Sequence, residues 1–500
     1  MGTTPPWRFP KSTDITTRGW VAHDAASGGG GLAPDMNMTA TLDILRIRLD
    51  SAEQGHVLGF WDRLDDEARA ALLDDVASVD LEQLKALHRQ SLDQEPTGPA
   101  SVEALPQITK GADSQADADA RRVGEQLLRD GKSCAFTVAG GQGTRLGHEG
   151  PKGTFPATPI QGKPLFQVFA EKLLVLERRF LQPVPWYVMT SPGNHDDTQS
   201  FFAQHDYFGL KSDHVMFFQQ GTMPALTADG QMILESEHAL FRSPDGHGGS
   251  LRALFESGAV ADMETRGVEE IYYFQVDNPL VEMCDPVFMG YHRQRGSEFS
   301  SKSVPKRAPE EKVGILVLVD GKPGVIEYSD LADGLRNARE DSGLLRFRAG
   351  NIAVHAISRA FVERLNEGGF GLPMHIARKK IPAKQPDGAI ASVDGIKFET
   401  FVFDALPLAR KVLLREVPRA TEFAPIKNRD GSDSPETSWR AQSTQFADWL
   451  EAAGVVVPRD PDGSPQHRIE ICPLFADSRQ EVAQRRTELP DSIDADTMIA

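Results

Sequence analysis

Cysteine is scarce in this chain of 500 residues: there are three, at positions 134, 284 and 472. They are too few, too far apart and odd in number, which excludes a disulfide framework. No Cys-x-x-Cys pair occurs, so a cysteine zinc site is excluded too, and the thiols are expected to stay reduced, as in a cytoplasm. No run of about eighteen apolar residues is present, which argues against a membrane-spanning helix and any membrane partner. Basic residues are outnumbered, 54 Lys and Arg against 72 Asp and Glu, for a formal net charge of -18. An acidic surface excludes a general nucleic-acid binder, which needs cations to displace phosphate counterions. It leaves room for a local anion site, because a few cations make a positive pocket on an acidic protein. The histidines show no metal-ligand spacing, and no repeat of useful period is found.

What is present suits a soluble globular enzyme: 40% hydrophobic and 25% charged residues. The length suggests two to four domains. Residues 1–35 are rich in Gly, Thr, Pro and Ser and lack the apolar stretch of a secretory signal, so they read as a disordered, dispensable leader. Residues 36–120 are expected to form a helical N-terminal domain. Apolar residues recur there at helical spacing from Leu42 to Val76, and Asp80 is placed to cap a helix opening at Leu81. Residues 94–108, with three prolines, read as a linker. A catalytic domain is expected over 121–410 and a C-terminal domain over 411–500.

The catalytic stretch has an alternating rhythm. A helix ends at Asp130-Gly131, and Cys134–Val138 reads as a buried strand. It feeds into the glycine loop Val138-Ala-Gly-Gly-Gln-Gly-Thr-Arg-Leu-Gly147. Residues 165–180 then have helical period, and 184–189 form the next strand. Strand, glycine loop, helix, strand is the pattern of an open, mainly parallel sheet. Further strands are expected at 215–218 and at 271–276, the second ending in Asp277, with a helix around 251–255. From about Lys312 the stretches shorten, with a hairpin turned at Asp320-Gly321. After Val412 short strands and Pro- and Asp-rich loops are expected.

Glycines at 140, 141, 143 and 147 clear side chains from a turn at a strand end, so backbone N–H groups can approach an anion or a flat base. Ligands of open α/β sheets bind at such strand ends. The dinucleotide fingerprint is not met, because residue 146 is Leu, and neither is a Walker A loop, because Lys152 follows Pro151. Arg145 and Lys152 suit a polyphosphate, one by bidentate contact and the other as a mobile point charge. Asp277, closing an apolar strand, calls for a cation, and a hard oxygen ligand favours Mg²⁺ bridging substrate phosphates. Its bland alternative is a helix cap. Asp404 is similarly placed and open to the same two readings.

This loop, followed by Pro151-Lys-Gly153, resembles the nucleotide-binding loop of the UDP-sugar pyrophosphorylases, most closely the UDP-N-acetylhexosamine (UDP-N-acetylglucosamine) pyrophosphorylases. Further similar segments follow in the same order. They are Phe217-Phe-Gln-Gln-Gly221, Pro244-Asp-Gly-His-Gly-Gly249, Val276-Asp-Asn278, Val325-Ile-Glu-Tyr-Ser329, Ala349-Gly-Asn-Ile352, Lys379-Lys-Ile-Pro382, Phe401-Val-Phe-Asp404 and Ala424-Pro-Ile-Lys-Asn428. The resemblance runs from about Met36 into the 440s.

It implies an α/β, Rossmann-like fold of the nucleotide-diphospho-sugar transferase (GT-A) type, with a mixed central sheet, a helical N-terminal region and a small C-terminal α/β region. It implies a uridylyltransferase that joins UTP to N-acetylglucosamine 1-phosphate with Mg²⁺, releasing pyrophosphate. Arg145, Lys152 and Lys397 would be the catalytic cations. Val138, Ala139, Gly140, Gly141, Gln220, Gly246 and Asp277 would bind the nucleotide, Gln220 reading the uracil and Asp277 also holding the metal. His247, Glu327, Tyr328, Asn351 and Lys427 would receive the sugar phosphate. One departure bears on the sugar: the family usually has Asn where this chain has His247. UDP-glucose or broader UDP-sugar synthesis is the alternative within the class, although the glucose enzymes usually carry Asn-Gly-Gly-Leu-Gly in the loop. A non-catalytic nucleotide-sugar binder is the alternative outside it. A cytoplasmic monomer or weak homo-oligomer is expected.

Overall fold

The computed structural model describes residues 34–93, 101–328 and 330–500. The leader expected over 1–35 lies outside them except for its last two residues, which open helix α1 (Pro34–Ser51). Helices α2 (Asp66–Ala77) and α3 (Leu81–Asp93) follow, α3 with its Gln83 N–H donated to the Asp80 carboxylate at 2.9 Å. No helix among the described residues is long and apolar enough to cross a membrane.

The centre is a mixed sheet of 11 strands. In chain order it uses β1 (Val102–Ala104), β2 (Ile108–Thr109), then, after α4 (Ser114–Arg129), β3 (Ser133–Val138). Helix α5 (Leu165–Phe180) leads to β4 (Trp186–Thr190) and β5 (Val215–Gln219). Helix α6 (Gly249–Glu256) precedes β6 (Glu270–Gln275), and α7 (Pro286–Arg295) precedes β7 (Phe299–Pro305). The hairpin β8 (Ile315–Val319) and β9 (Lys322–Ile326), then β10 (Ala349–Ser358), complete this half. An arm of two ten-residue strands, β11 (His375–Lys384) and β12 (Ile390–Glu399), leaves the sheet, and β13 (Val412–Glu416) returns to it.

Across the sheet the order is β2-β13-β7-β10-β6-β3-β4-β5. Strands β6, β3, β4 and β5 are mutually parallel, so all four end at the same edge. Strand β10 runs antiparallel to β6 and pairs His355 with Tyr273. The hairpin expected at Asp320-Gly321 is present, and both turn residues have positive φ, as a two-residue turn of matching twist requires. Apolar side chains from both faces, among them Phe136, Trp186, Tyr272 and Phe274, are fully buried.

Two findings correct the expectations. The proline-containing stretch read as a linker carries β1 and β2, which pair with β8 and β13 at the sheet's margins. Strands this short carry no readable alternation. The C-terminal stretch read as short strands and loops contains an 18-residue helix, α8 (Pro435–Ala452). Its buried side includes Ser438, Gln442 and Ser443, which bond to the carbonyls of Ala424, Ala157 and Ile469. A helix that buries hydrogen-bonded polar groups shows no apolar stripe. It packs with Val455, Ile469, Ile471 and Phe475 in a separate small core. The N-terminal helices share a core with residues 226–240 and with Ile396 and Phe398 of the arm, and residue 120 falls inside α4.

Helices α4 and α7 touch backbone to backbone. A Cβ on Gly124 would lie 1.8 Å from the Pro286 oxygen, and one on Gly290 1.8 Å from that of Ala120. Beside this seam lie three cations matched by carboxylates. Fully buried Lys302 pairs with Asp285 and Glu422, Lys110 with Glu282 and Glu422, and fully buried Arg415 with Asp117 and Asp285. Burial opposes ionisation of Asp285, but Lys302, Arg415 and Lys110 outweigh it and hold the carboxyl well below its usual range. Gly290→Ala is expected to destabilise the fold by about 1–3 kcal/mol or more, because neither backbone can yield without opening this seam. A denaturant midpoint equal to wild type would contradict the contact.

Candidate active site

The glycine loop leaves β3 and folds back on itself. Gly143 N–H donates to Gly150 O at 2.9 Å, and Lys152 N–H donates to Gly141 O at 3.0 Å. That closure returns Lys152 to the strand end it left. Gly153 permits it, since a Cβ there would lie 2.1 Å from the Phe166 ring of α5. The buried Asn194 amide donates to the carbonyls of Ala139 (3.0 Å) and Gly141 (3.3 Å), clamping the loop to the end of β4.

At the shared strand edge, Val138, Gly140, Gly141, Lys152, Gln220, His247, Gln275, Val276 and Asp277 line a cavity of about 220 Å³. Lys152 Nζ lies 3.1 Å from Asp277 Oδ2, both side chains largely buried. Burial opposes ionisation of Asp277, but the Lys152 and Lys427 charges outweigh it and hold its carboxyl below the ordinary value. Lys427 reaches this position because its segment is tied beside Asp277. Ile426 N–H donates to Asp277 O (2.8 Å), and the Asn278 side chain bonds both Glu422 O (2.7 Å) and Ala424 N–H (3.1 Å). Through Glu422 that tie reaches the buried Lys302 network.

Of the other residues proposed from sequence, Lys427, Glu327 and Gly246 are tied to this centre, whereas Arg145, Lys397, Tyr328 and Asn351 do not line the cavity. Lys427 also acts on Glu327, whose carboxyl is raised by burial and by Asp330 and lowered by the lysine. Asn351 uses its Oδ1 locally, accepting Ala353 N–H at 3.0 Å, which leaves its Nδ2. Gly246, at φ +85°, accepts the Gln220 amide. Arg145 is exposed on the loop, without a hydrogen bond or ion pair among the described residues. Lys397 is on the arm, 4.8 Å from the Phe241 ring centroid, its ammonium pulled below its ordinary value by burial and by Lys379. Tyr328 is exposed. Ala139 does not reach the cavity: it is fully buried, its N–H is given to Met189 O and its carbonyl is taken by Asn194. Asp404 accepts Phe401 N–H (3.2 Å) and faces His375 (2.8 Å), an end-capping arrangement.

His247 packs against Phe401 and Phe403, with ring centroids 5.3 and 5.5 Å away. Its Nδ1 accepts Val402 N–H at 3.1 Å, so the neutral ring carries its proton on Nε2. Burial pushes it down to about 4. Gln275, Asn194 and Asp245 were not singled out from sequence. Gln275 directly precedes Val276-Asp277, and Asp245 stands in the Pro244–Gly249 segment, but Asn194 carries no local signal.

The family model described as UTP–glucose-1-phosphate uridylyltransferase matches residues 86–433. UDP-N-acetylglucosamine diphosphorylase 2 of Arabidopsis thaliana is 36% identical over 81% of this chain and 84% of its own. UDP-N-acetylglucosamine pyrophosphorylase of Saccharomyces cerevisiae is 39% identical over 72% and 78%. Among solved structures, the uridine diphosphate N-acetylglucosamine pyrophosphorylase of Trypanosoma brucei superposes with a TM-score of 0.77 at 27% identity, covering 95% of this chain and 99% of that one. UDP-glucose pyrophosphorylase structures from Leishmania major share the fold at TM-scores such as 0.59 and 18% identity, covering 82% of this chain and 84% of that one. With its parallel strand ends, glycine loop and cation–carboxylate centre, the chain belongs to the UTP–sugar-1-phosphate uridylyltransferases and is a nucleotidyltransferase.

Proposed function

We propose that the chain makes UDP-N-acetylglucosamine and pyrophosphate from UTP and N-acetylglucosamine 1-phosphate. The observation that carries this reading is the buried Lys152–Asp277 pair, set on the wall of a cavity that also holds the glycine backbone and Gln220. An oxygen of the sugar phosphate attacks the α-phosphorus in line. The bond from that phosphorus to the bridging oxygen breaks, and pyrophosphate leaves. Such a transfer depends on alignment and charge compensation, so no side-chain nucleophile is needed. Lys152 supplies positive charge at the reacting phosphate, and Lys427 does so between Asp277 and Glu327. Arg145 and Lys397, with no carboxylate bound to either, are the cations left for the outgoing phosphates.

Asp277 is the one carboxylate on the cavity wall among the described residues. A single hard oxygen suits Mg²⁺, which keeps much of its shell for water and substrate phosphate. Bound there, the ion would offset charge on the phosphates. His247 offers a neutral N–H donor where the family's Asn would offer an amide, a fit for an acetamido carbonyl.

Pyrophosphate release from UTP and Mg²⁺ with a panel of N-acetylglucosamine, N-acetylgalactosamine, glucose and galactose 1-phosphates tests the assignment. Turnover is expected to be fastest with N-acetylglucosamine 1-phosphate. Silence with every sugar would sink the enzymatic reading, and a clear preference for glucose 1-phosphate would sink the sugar assignment. Lys152→Ala is expected to cost about 10²-fold or more in kcat with the fold retained, and near-normal turnover would remove Lys152 from the chemistry. Because burial holds His247 near 4, it is neutral throughout pH 6–9, and sugar preference is expected to be flat over that range. A change in preference centred near 6.5 would show a solvated, titrating imidazole instead.

A further inference from the structure

Gln220 is the first residue beyond β5, its backbone N–H donated to Thr190 O at 2.8 Å. Both ends of its side-chain amide are assigned by their neighbours. Nε2 lies 3.1 Å from the Gly246 carbonyl oxygen and 3.4 Å from Asp245 Oδ1. A carbonyl and a carboxylate can only accept, so the NH₂ must face them. Oε1 is thereby turned the other way, toward the glycine loop, where a Cβ on Gly140 would lie 2.9 Å from it. Gly140 and Gln220 line the same cavity.

Asp245 is held tightly enough to impose this orientation. Its N–H donates to Gly221 O at 3.1 Å, and its carbonyl accepts from Thr400 N–H (2.7 Å) and the Thr400 hydroxyl (2.9 Å). The carboxylate is buried against Gly221 and Gly249, where added Cβ atoms would come within 2.5 and 2.2 Å of it. The two glycines leave it room, and a side chain at either would displace it. Burial pushes this carboxyl up to about 6, against the Gln220 bond and the Arg252 charge, so near neutral pH it is ionised and accepts only.

We infer that Asp245 is a positioning residue for base choice: it locks the Gln220 amide with its oxygen toward the base and thereby selects UTP over CTP. The inference rests on Gln220 being the uracil contact. On the pairing edge of uracil the single donor is N3–H, which an outward-facing Oε1 accepts. Cytosine presents a bare N3 lone pair at that place, which the same oxygen repels. Sites built around a substrate donor reject the analogue that lacks it far better than apolar pockets discriminate size. An amide free to flip would meet either base and lose that discrimination.

Asp245→Asn keeps the shape but can donate to Gln220 Oε1 and so permits the flip. Asp245→Ala leaves the amide held by Gly246 alone. For each folded variant, kcat/KM and equilibrium Kd are measured with UTP and with CTP, thermal melting serving as the check on folding. The UTP-over-CTP ratio is expected to be large in wild type. It should fall about ten-fold or more in Asp245→Asn and by less in Asp245→Ala. The alanine variant reads the same ratio should the asparagine variant not fold. A merely structural Asp245 would lower both nucleotides together and leave the ratio unmoved, which would overturn the inference, as would a wild type indifferent to the base. No pyrophosphate release by wild type from UTP with any sugar 1-phosphate would instead overturn the reading on which it rests.

Discussion

A carboxylate buried at the end of a hydrophobic strand is the constraint around which this molecule is organised. Left alone, Asp277 would protonate or pull water into the sheet, because burial penalises the charged form. It stays ionised because Lys152 and Lys427 approach it from loops remote in sequence. Each approach needs its own machinery. The glycine loop must close on itself and sit against Phe166, which demands Gly153. The late lysine must be tied through Asn278 to Glu422 and from there to the buried Lys302 network. Removing one ammonium would leave a buried charge poorly compensated, a large cost compared with the weak attraction of a surface pair.

The two halves of the site have different mechanical footing. The side proposed for the nucleotide rests on four parallel strand ends, where β3, β4, β5 and β6 stop at one edge and the Asn194 amide fixes the loop between them. The side proposed for the sugar draws on the end of the hairpin, the start of β10 and the residues around His247. Asn351 stands at the start of β10, and a neutral histidine packs against Phe401 and Phe403. Arg145 and Lys397 come from an exposed turn and from the arm.

Much of this was legible in the sequence. Strands β3, β4, β5 and β6 are apolar runs bounded by glycine, proline or a lone carboxylate, so periodicity alone finds them, and α5 shows a full amphipathic period. The glycine loop and the ordered motifs bring Lys152, Gln220, His247 and Asp277 to one cavity. What could not be read is what depends on partners far along the chain. Strands β1 and β2 gain their identity from β8 and β13. Helix α8 buries serines and a glutamine that are satisfied by distant carbonyls, so its pattern reads as polar loop. Ala139 reads as part of a nucleotide loop, yet both of its backbone groups are spent inside the fold. Asn194 holds the glycine loop from four residues beyond β4, and no spacing announces it.

The central claim, that the glycine cavity closed by Lys152 and Asp277 is where UTP is held, is tested most directly by a crystal structure of the protein grown with UTP. The account predicts uracil against Gln220, with N3–H directed at its amide oxygen, and phosphate oxygens within contact of Lys152. Nucleotide density elsewhere on the sheet, or a triphosphate turned away from the Lys152–Asp277 pair, would contradict it.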